Sequence, residues 1–226
     1  MTFDEFKKQF EVWRKIDTPE ILKICEHQYQ QQLLIQDDNN YFEPLTIDIS
    51  NDILGLYEEN LSKILGVDNL TDKQIYLLIK PSFEPESLLE LDTSGEKYSL
   101  TYKRLTKNYW ASLYSGDKFL KVKIETSKIE IDALFGTKLF NFLDRIISEA
   151  RAPNAPMIIL DGVRFRLYKI KDGEKICVQK AWSENNSKSA EVIELLYFLI
   201  DNMNTLDSKI IADIEDKISS IEKFGG

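Results

Sequence analysis

Val163-Arg164-Phe165-Arg166-Leu167-Tyr168-Lys169-Ile170, followed by Lys171-Asp172-Gly173 and a return from Lys175 to Trp182, is the stretch on which the fold turns. Val163, Phe165 and Leu167 alternate with Arg164, Arg166 and Tyr168, the two-residue period of a strand with unlike faces. Asp-Gly between two such runs is a strong hairpin signal. Upstream, Ile131 to Arg151 carries the longest helical pattern, with Leu134, Leu139, Phe140, Phe142, Leu143, Ile146 and Ile147 on its apolar side. Gly136 interrupts that pattern at a cost of about 1 kcal/mol relative to Ala.

Further out, the periods stay short. Tyr109 to Ser115 and Lys118 to Glu125 read as a hairpin around Ser115-Gly116-Asp117, with Leu120, Val122 and Ile124 alternating with Lys121, Lys123 and Glu125. Leu88 to Leu91 and Lys97 to Leu105 read as another around Thr93-Ser94-Gly95. Gln74 to Lys80, closed by Pro81, is a compact apolar strand. Helical spacing returns at both ends. Phe3, Phe6, Phe10 and Trp13 predict a helix from about Thr2 to Lys15. Asp17-Thr18-Pro19-Glu20 starts a second, carried to about Leu34. Asp37-Asp38-Asn39-Asn40 reads as a solvated turn, and a third helix spans Ser50 to Gly66. Ser187 or Ser189 caps a helix through Ile200, and Leu206 to Phe224 forms the last. The expected fold is α+β: an antiparallel, mostly meander sheet with one long helix packed on it, flanked by N-terminal and C-terminal helices. Residues 1–70 form the helical region packed on or beside the core, and residues 71–226 the α+β core ending in two helices.

Charge is sorted along the chain. The net charge is −9, yet residues 103–128 hold 7 bases against 2 acids and residues 164–180 hold 6 against 2. Residues 1–60 carry 13 acids and 5 bases. The longest apolar run, Leu195 to Ile200, is far short of a bilayer span, and the N-terminus has no signal-peptide pattern, so a cytoplasmic protein with no membrane contact is expected. One histidine, His27, and two distant cysteines, Cys25 and Cys177, leave no metal-ligand spacing and no redox pair. Glycine loops that cradle phosphate are also missing, so neither metal nor cofactor is expected.

Arg151, Leu160-Asp161-Gly162-Val163-Arg164-Phe165-Arg166-Leu167, Ala181-Trp182-Ser183 and Ser187-Lys188 before a closing amphipathic helix resemble a loose group of small, uncharacterised bacterial proteins. Some of these look like immunity or toxin-neighbourhood proteins. The group's usual Asp-Gly-Thr and Trp-Ser-Pro have Val163 and Glu184 in place of the Thr and the Pro here. The likeness covers roughly residues 151–200, with an echo in Lys80-Pro81-Ser82-Phe83-Glu84-Pro85. It implies a fold rather than a reaction.

Several residues are candidates for binding. Arg164, Arg166 and Tyr168 share a strand face, and Lys121 and Lys123 oppose the apolar side of theirs. If the faces coincide, with Trp110 and Tyr114 beside them, the sheet shows a basic surface suited to an acidic partner, a phosphate or a carboxylate. The plainer reading is a solvated sheet face. Nucleic acid is not expected as a partner, because the whole chain repels a polyanion. Asp161 beside Gly162 is a candidate base, or simply a turn residue paired with Arg151. Trp110 and Trp182 are core or interface anchors. The expectation is a non-catalytic protein-binding module of immunity or accessory type with a protein partner. The alternative is a small-ligand or anion-binding enzyme with a pocket around Arg151, Asp161 and Arg166. A homodimer joined at a sheet edge is the third reading.

Overall fold

A computed structural model describes residues 1–16, 18–45, 53–94, 97–114, 122–154, 162–181 and 187–223. Its centre is a seven-stranded antiparallel sheet of β1 (Glu43–Pro44), β2 (Gln74–Pro81), β3 (Ser87–Asp92), β4 (Tyr98–Leu105), β5 (Ile124–Ile131), β6 (Val163–Lys171) and β7 (Glu174–Ala181). The spatial order is β1-β7-β6-β2-β3-β4-β5. The meander β2 to β5 and the hairpin β6–β7 join where β6 pairs with β2, Leu77 opposite Leu167. The α+β class, the antiparallel sheet and the flanking helices are as the sequence predicts. The β6–β7 turn has Asp172 at φ 54° and Gly173 at φ 81°, both left-handed, which suits the right-handed twist of the flanking strands.

Strand period two sorts the core into two layers. Ile75, Leu77 and Ile79 of β2, with Leu89, Leu91, Leu100, Phe165 and Leu167, point to one face. That face is covered by α5 (Ala133–Ser148), α6 (Lys188–Asn202) and α7 (Ser208–Lys223). Asp132 caps α5 by accepting from Leu134 N at 2.8 Å, and Ser187 caps α6 by accepting from Ala190 N at 3.3 Å. Gly136 sits where α5 lies against β4: a Cβ there would come within 2.4 Å of Tyr98 Cδ2. The glycine is therefore a close-packing residue.

The other face carries Tyr76, Leu78, Leu88, Tyr168 and Cys177, covered by α3 (Ile53–Leu65) and α4 (Tyr109–Tyr114). Gly55, Tyr57, Leu61 and Leu65 are the residues α3 buries, whereas Ile53, Leu54 and Leu56 are exposed. At the N-terminus, α1 (Phe3–Trp13) and α2 (Pro19–Asp38) form a hairpin. Phe3 and Phe6 meet Tyr29 at ring-centroid distances of 5.3 and 5.5 Å. Among the described residues no helix is long and apolar enough to cross a membrane.

Three expectations need correction. The strand placed at Tyr109 to Ser115 is a helix over Tyr109–Tyr114, because Asn108 Oδ1 accepts from Ala111 N at 2.6 Å and Glu86 accepts from Tyr109 N and Trp110 N; Ser115 lies outside the described residues. The strand placed at Lys118 to Glu125 begins only at Ile124 and runs on to Ile131, pairing along the whole of β4; Lys118 to Lys121 lie outside the described residues. Asp37-Asp38-Asn39-Asn40 is not a solvated turn. α2 extends through Asp38, and both Asp38 and Asn39 are buried. Asp38 Oδ1 accepts from Asn154 N at 3.0 Å and from Asn154 Nδ2 at 2.7 Å, while Lys180 Nζ donates to the Asp38 carbonyl at 2.8 Å.

Candidate functional site

The basic strand residues do not form one outward surface. Arg164, Arg166 and Tyr168 do share a face, but it is the face beneath α3. Arg166 is 7% exposed and donates to Glu58 Oε2 at 2.7 Å, and Lys80 Nζ donates to the other oxygen of the same carboxylate. Lys80 also stands over the Tyr57 ring, 4.7 Å from its centroid. Tyr57 Oη in turn donates to Glu86 Oε1 at 2.9 Å. Two buried cations thus share Glu58, brought to them by α3. Burial pushes the Glu58 carboxyl up, but Lys80 and Arg166 together outweigh it and hold it below its ordinary value. Burial, followed by the neighbouring charge of Arg166, pushes the Lys80 amine down to about 8. Alternation located the face correctly; it carried no sign of the acid arriving from another element.

The remaining candidates disperse. Arg164 is exposed and, with Arg166, Glu43 and Gln179, lines a cleft of about 310 Å3. Arg151 is on the other side of the sheet. Its guanidinium stacks 3.8 Å from the Tyr41 ring centroid and pairs with Asp37, and its backbone N–H donates to the Phe42 carbonyl at 3.0 Å. It ties the end of α2 to the body and does not converge with Arg166. Lys123 is exposed just before β5, four strand spacings or about 19 Å across the sheet from β6. Trp110 is half-buried, its ring edge-on to Tyr57 at 5.1 Å. Lys121, Asp161 and Trp182 lie outside the described residues, as does the side chain of Tyr114.

Two features that sequence reasoning missed are better placed for recognition. The first is the tip of the α1–α2 hairpin. Trp13 is 89% exposed and Val12 79%, and α1 buries none of its residues. The hydrogen bonds that tie α2 to the body gather at its C-terminal turn, so the tip stands about 30 Å away along the 20-residue α2. A clue was present in the four aromatics of α1, more apolar surface than a single short helix pair can cover.

The second is a cleft of about 580 Å3 on the face covered by α5, α6 and α7, between the β2–β3 loop, β4 and the C-terminal half of α6. Ile79, Tyr102 and Val163 form its floor, and Tyr197 and Asp201 come from α6. Phe83, 83% exposed, stands on the loop beside Glu84. The loop is latched by Ser82 Oγ, which donates to the Gly162 carbonyl at 2.9 Å, and by Asn108 Nδ2, which donates to the Glu84 carbonyl at 2.6 Å. Tyr197 is anchored edge-on to Phe165 at 5.6 Å. Burial, then nearby Tyr102, Glu84 and Asp201, push its hydroxyl pKa up, which puts these groups within electrostatic reach of one another. Arg104 pairs with Glu84 at 3.3 Å.

Both cysteines are buried free thiols, and burial pushes Cys177 up to about 11, an unreactive value. No family model, curated protein or solved structure matches this chain.

Proposed function

We propose that the protein works as a non-catalytic module that binds another protein, of immunity or accessory type, and that the α1–α2 hairpin is its docking element. The exposure of Trp13 and Val12 at the far end of a projecting helix pair carries this reading. Short helices in water depend on packing of an apolar face for most of their stability. Here that face is only half covered, because Phe3 and Phe6 lean on Tyr29, Phe10 meets Phe6, and nothing covers Trp13 among the described residues. Tryptophan is also the side chain most enriched at binding hot spots. Asp4, Glu5, Glu11, Glu20 and Glu26 share the helix pair with Lys7, Lys8, Arg14, Lys15 and Lys23, so the stripe is framed by charges of both signs. The matching partner surface is an apolar pocket with a rim of mixed charge, and such complementarity chiefly speeds association and selects among partners.

The test uses the intact chain, cross-linked in the native cytoplasm, and the recovered partner purified for titration. Trp13→Ala with Val12→Ser should weaken the complex about 30-fold or more, the range of a hot spot of about 2 kcal/mol. Thermal stability should stay put, since neither side chain is buried. Failure to recover a stoichiometric partner would remove the binding reading. Equal affinity of the double variant would remove the hairpin from it.

A further inference from the structure

The cleft between the β2–β3 loop and α6 has a chemistry of its own. Its volume of about 580 Å3 lies in the range of small-ligand sites, about 300–1,000 Å3. Two carboxylates, Glu84 and Asp201, and one guanidinium, Arg104, line it with the rings of Tyr102, Tyr197 and Phe83. Arg104 is engaged by Glu84, and Asp201 makes no ion pair among the described residues. The cleft therefore carries one negative charge in excess beside aromatic rings, whose faces attract cations. An anion would meet Asp201 as a like charge. A wholly apolar occupant would strip water from Asp201 and return nothing to it.

We propose that this cleft binds an organic cation, a primary ammonium or guanidinium on a short apolar stem, with the head group at Asp201 and Glu84 and the stem against Tyr102 and Tyr197. A free small amine and the side chain of a lysine or arginine in a polypeptide present the same head and stem, so the chemistry is shared between these sources. The site is separate from the hairpin, and either can fail without the other.

The test follows amide chemical shifts of the intact protein during titration with three probes. These are cadaverine, N-acetyl-lysine methylamide and the neutral isostere N-acetyl-norleucine methylamide. Shifts should centre on Glu84, Tyr197 and Asp201, and the lysine amide should bind at least about fivefold tighter than norleucine, as expected for a cation–π and ion-pair site whose carboxylates are solvent-exposed. Asp201→Asn should weaken both cationic probes about fivefold or more, and Arg104→Gln, which releases Glu84, should strengthen them a few-fold. Tighter binding of cadaverine points to a free amine as the source, and tighter binding of the lysine amide to a polypeptide. Equal affinity for lysine and norleucine amides, indifference to Asp201→Asn, or no response to any probe overturns the proposal.

Discussion

Glu58 is the residue on which the second face of the sheet balances, because its carboxylate, alone among the described residues, pairs with both Lys80 and Arg166 beneath α3. Removing it strands two buried cations, so Glu58→Ala should lower unfolding free energy by about 3–5 kcal/mol in denaturant melts. Lys80→Met is the contrasting change. It leaves Glu58 paired with Arg166, and it should be near neutral at pH 7. The folded pKa of Lys80, about 8, lies below the ordinary 10.5, so between those values the unfolded chain holds more protons than the native one. Stability should therefore rise with pH through that window. Tyr57, pushed up by burial and then by Glu86, opposes the rise above its ordinary value of 10, because the unfolded chain ionises there and the folded tyrosine does not. Melts between about pH 7 and 9.5 should show a positive slope that Lys80→Met flattens. Gly136→Ala offers a second check: intrinsic helix propensity favours alanine by about 1 kcal/mol, yet the new Cβ meets Tyr98. Destabilisation of about 1–3 kcal/mol should result, the usual penalty of overpacking.

At the scale of elements, strands with two unlike faces and helices with one apolar stripe were legible from period alone. β2, β3, β4, β6 and β7 fall where alternation or a compact apolar run predicts them. Tyr109–Tyr114 was not legible because aromatic side chains favour strands. What overrides them is Glu86, some 23 residues earlier, whose carboxylate accepts from the first amides of α4. β5 escaped for a different reason. As the outer strand its second face is wet, so Ile124–Ile131 shows little apolar alternation. Such an edge invites pairing with another chain, and charged side chains discourage it. Replacing Lys128 and Glu130 on the exposed face of β5 with valine should therefore promote edge-to-edge association, visible as faster sedimentation in proportion to concentration.

For the whole molecule, the body is held by a two-layer core, and the hairpin hangs from it by the last turn of α2. Leu139→Ala, in the layer between α5 and the sheet, should cost about 2–5 kcal/mol and lower the thermal midpoint of the entire body. Helix hydrogen-exchange rates should divide accordingly: α1, with no buried residue, should exchange far faster than α5. The amino-acid sequence by itself determined the class of fold, the turn at Asp172-Gly173, the cap at Thr18, a cap at Ser187 or Ser189, of which the structure uses Ser187, and that Arg164 and Arg166 share one face of their strand. All of these follow from backbone sterics and side-chain period over a few residues. Only the tertiary structure decided that the basic face is buried around Glu58, that Arg151 fastens α2, and that Tyr197 and Asp201 of α6 line one cleft with Glu84. Each of those pairings joins residues far apart in the chain, and Coulomb forces and burial act through space without regard to that separation.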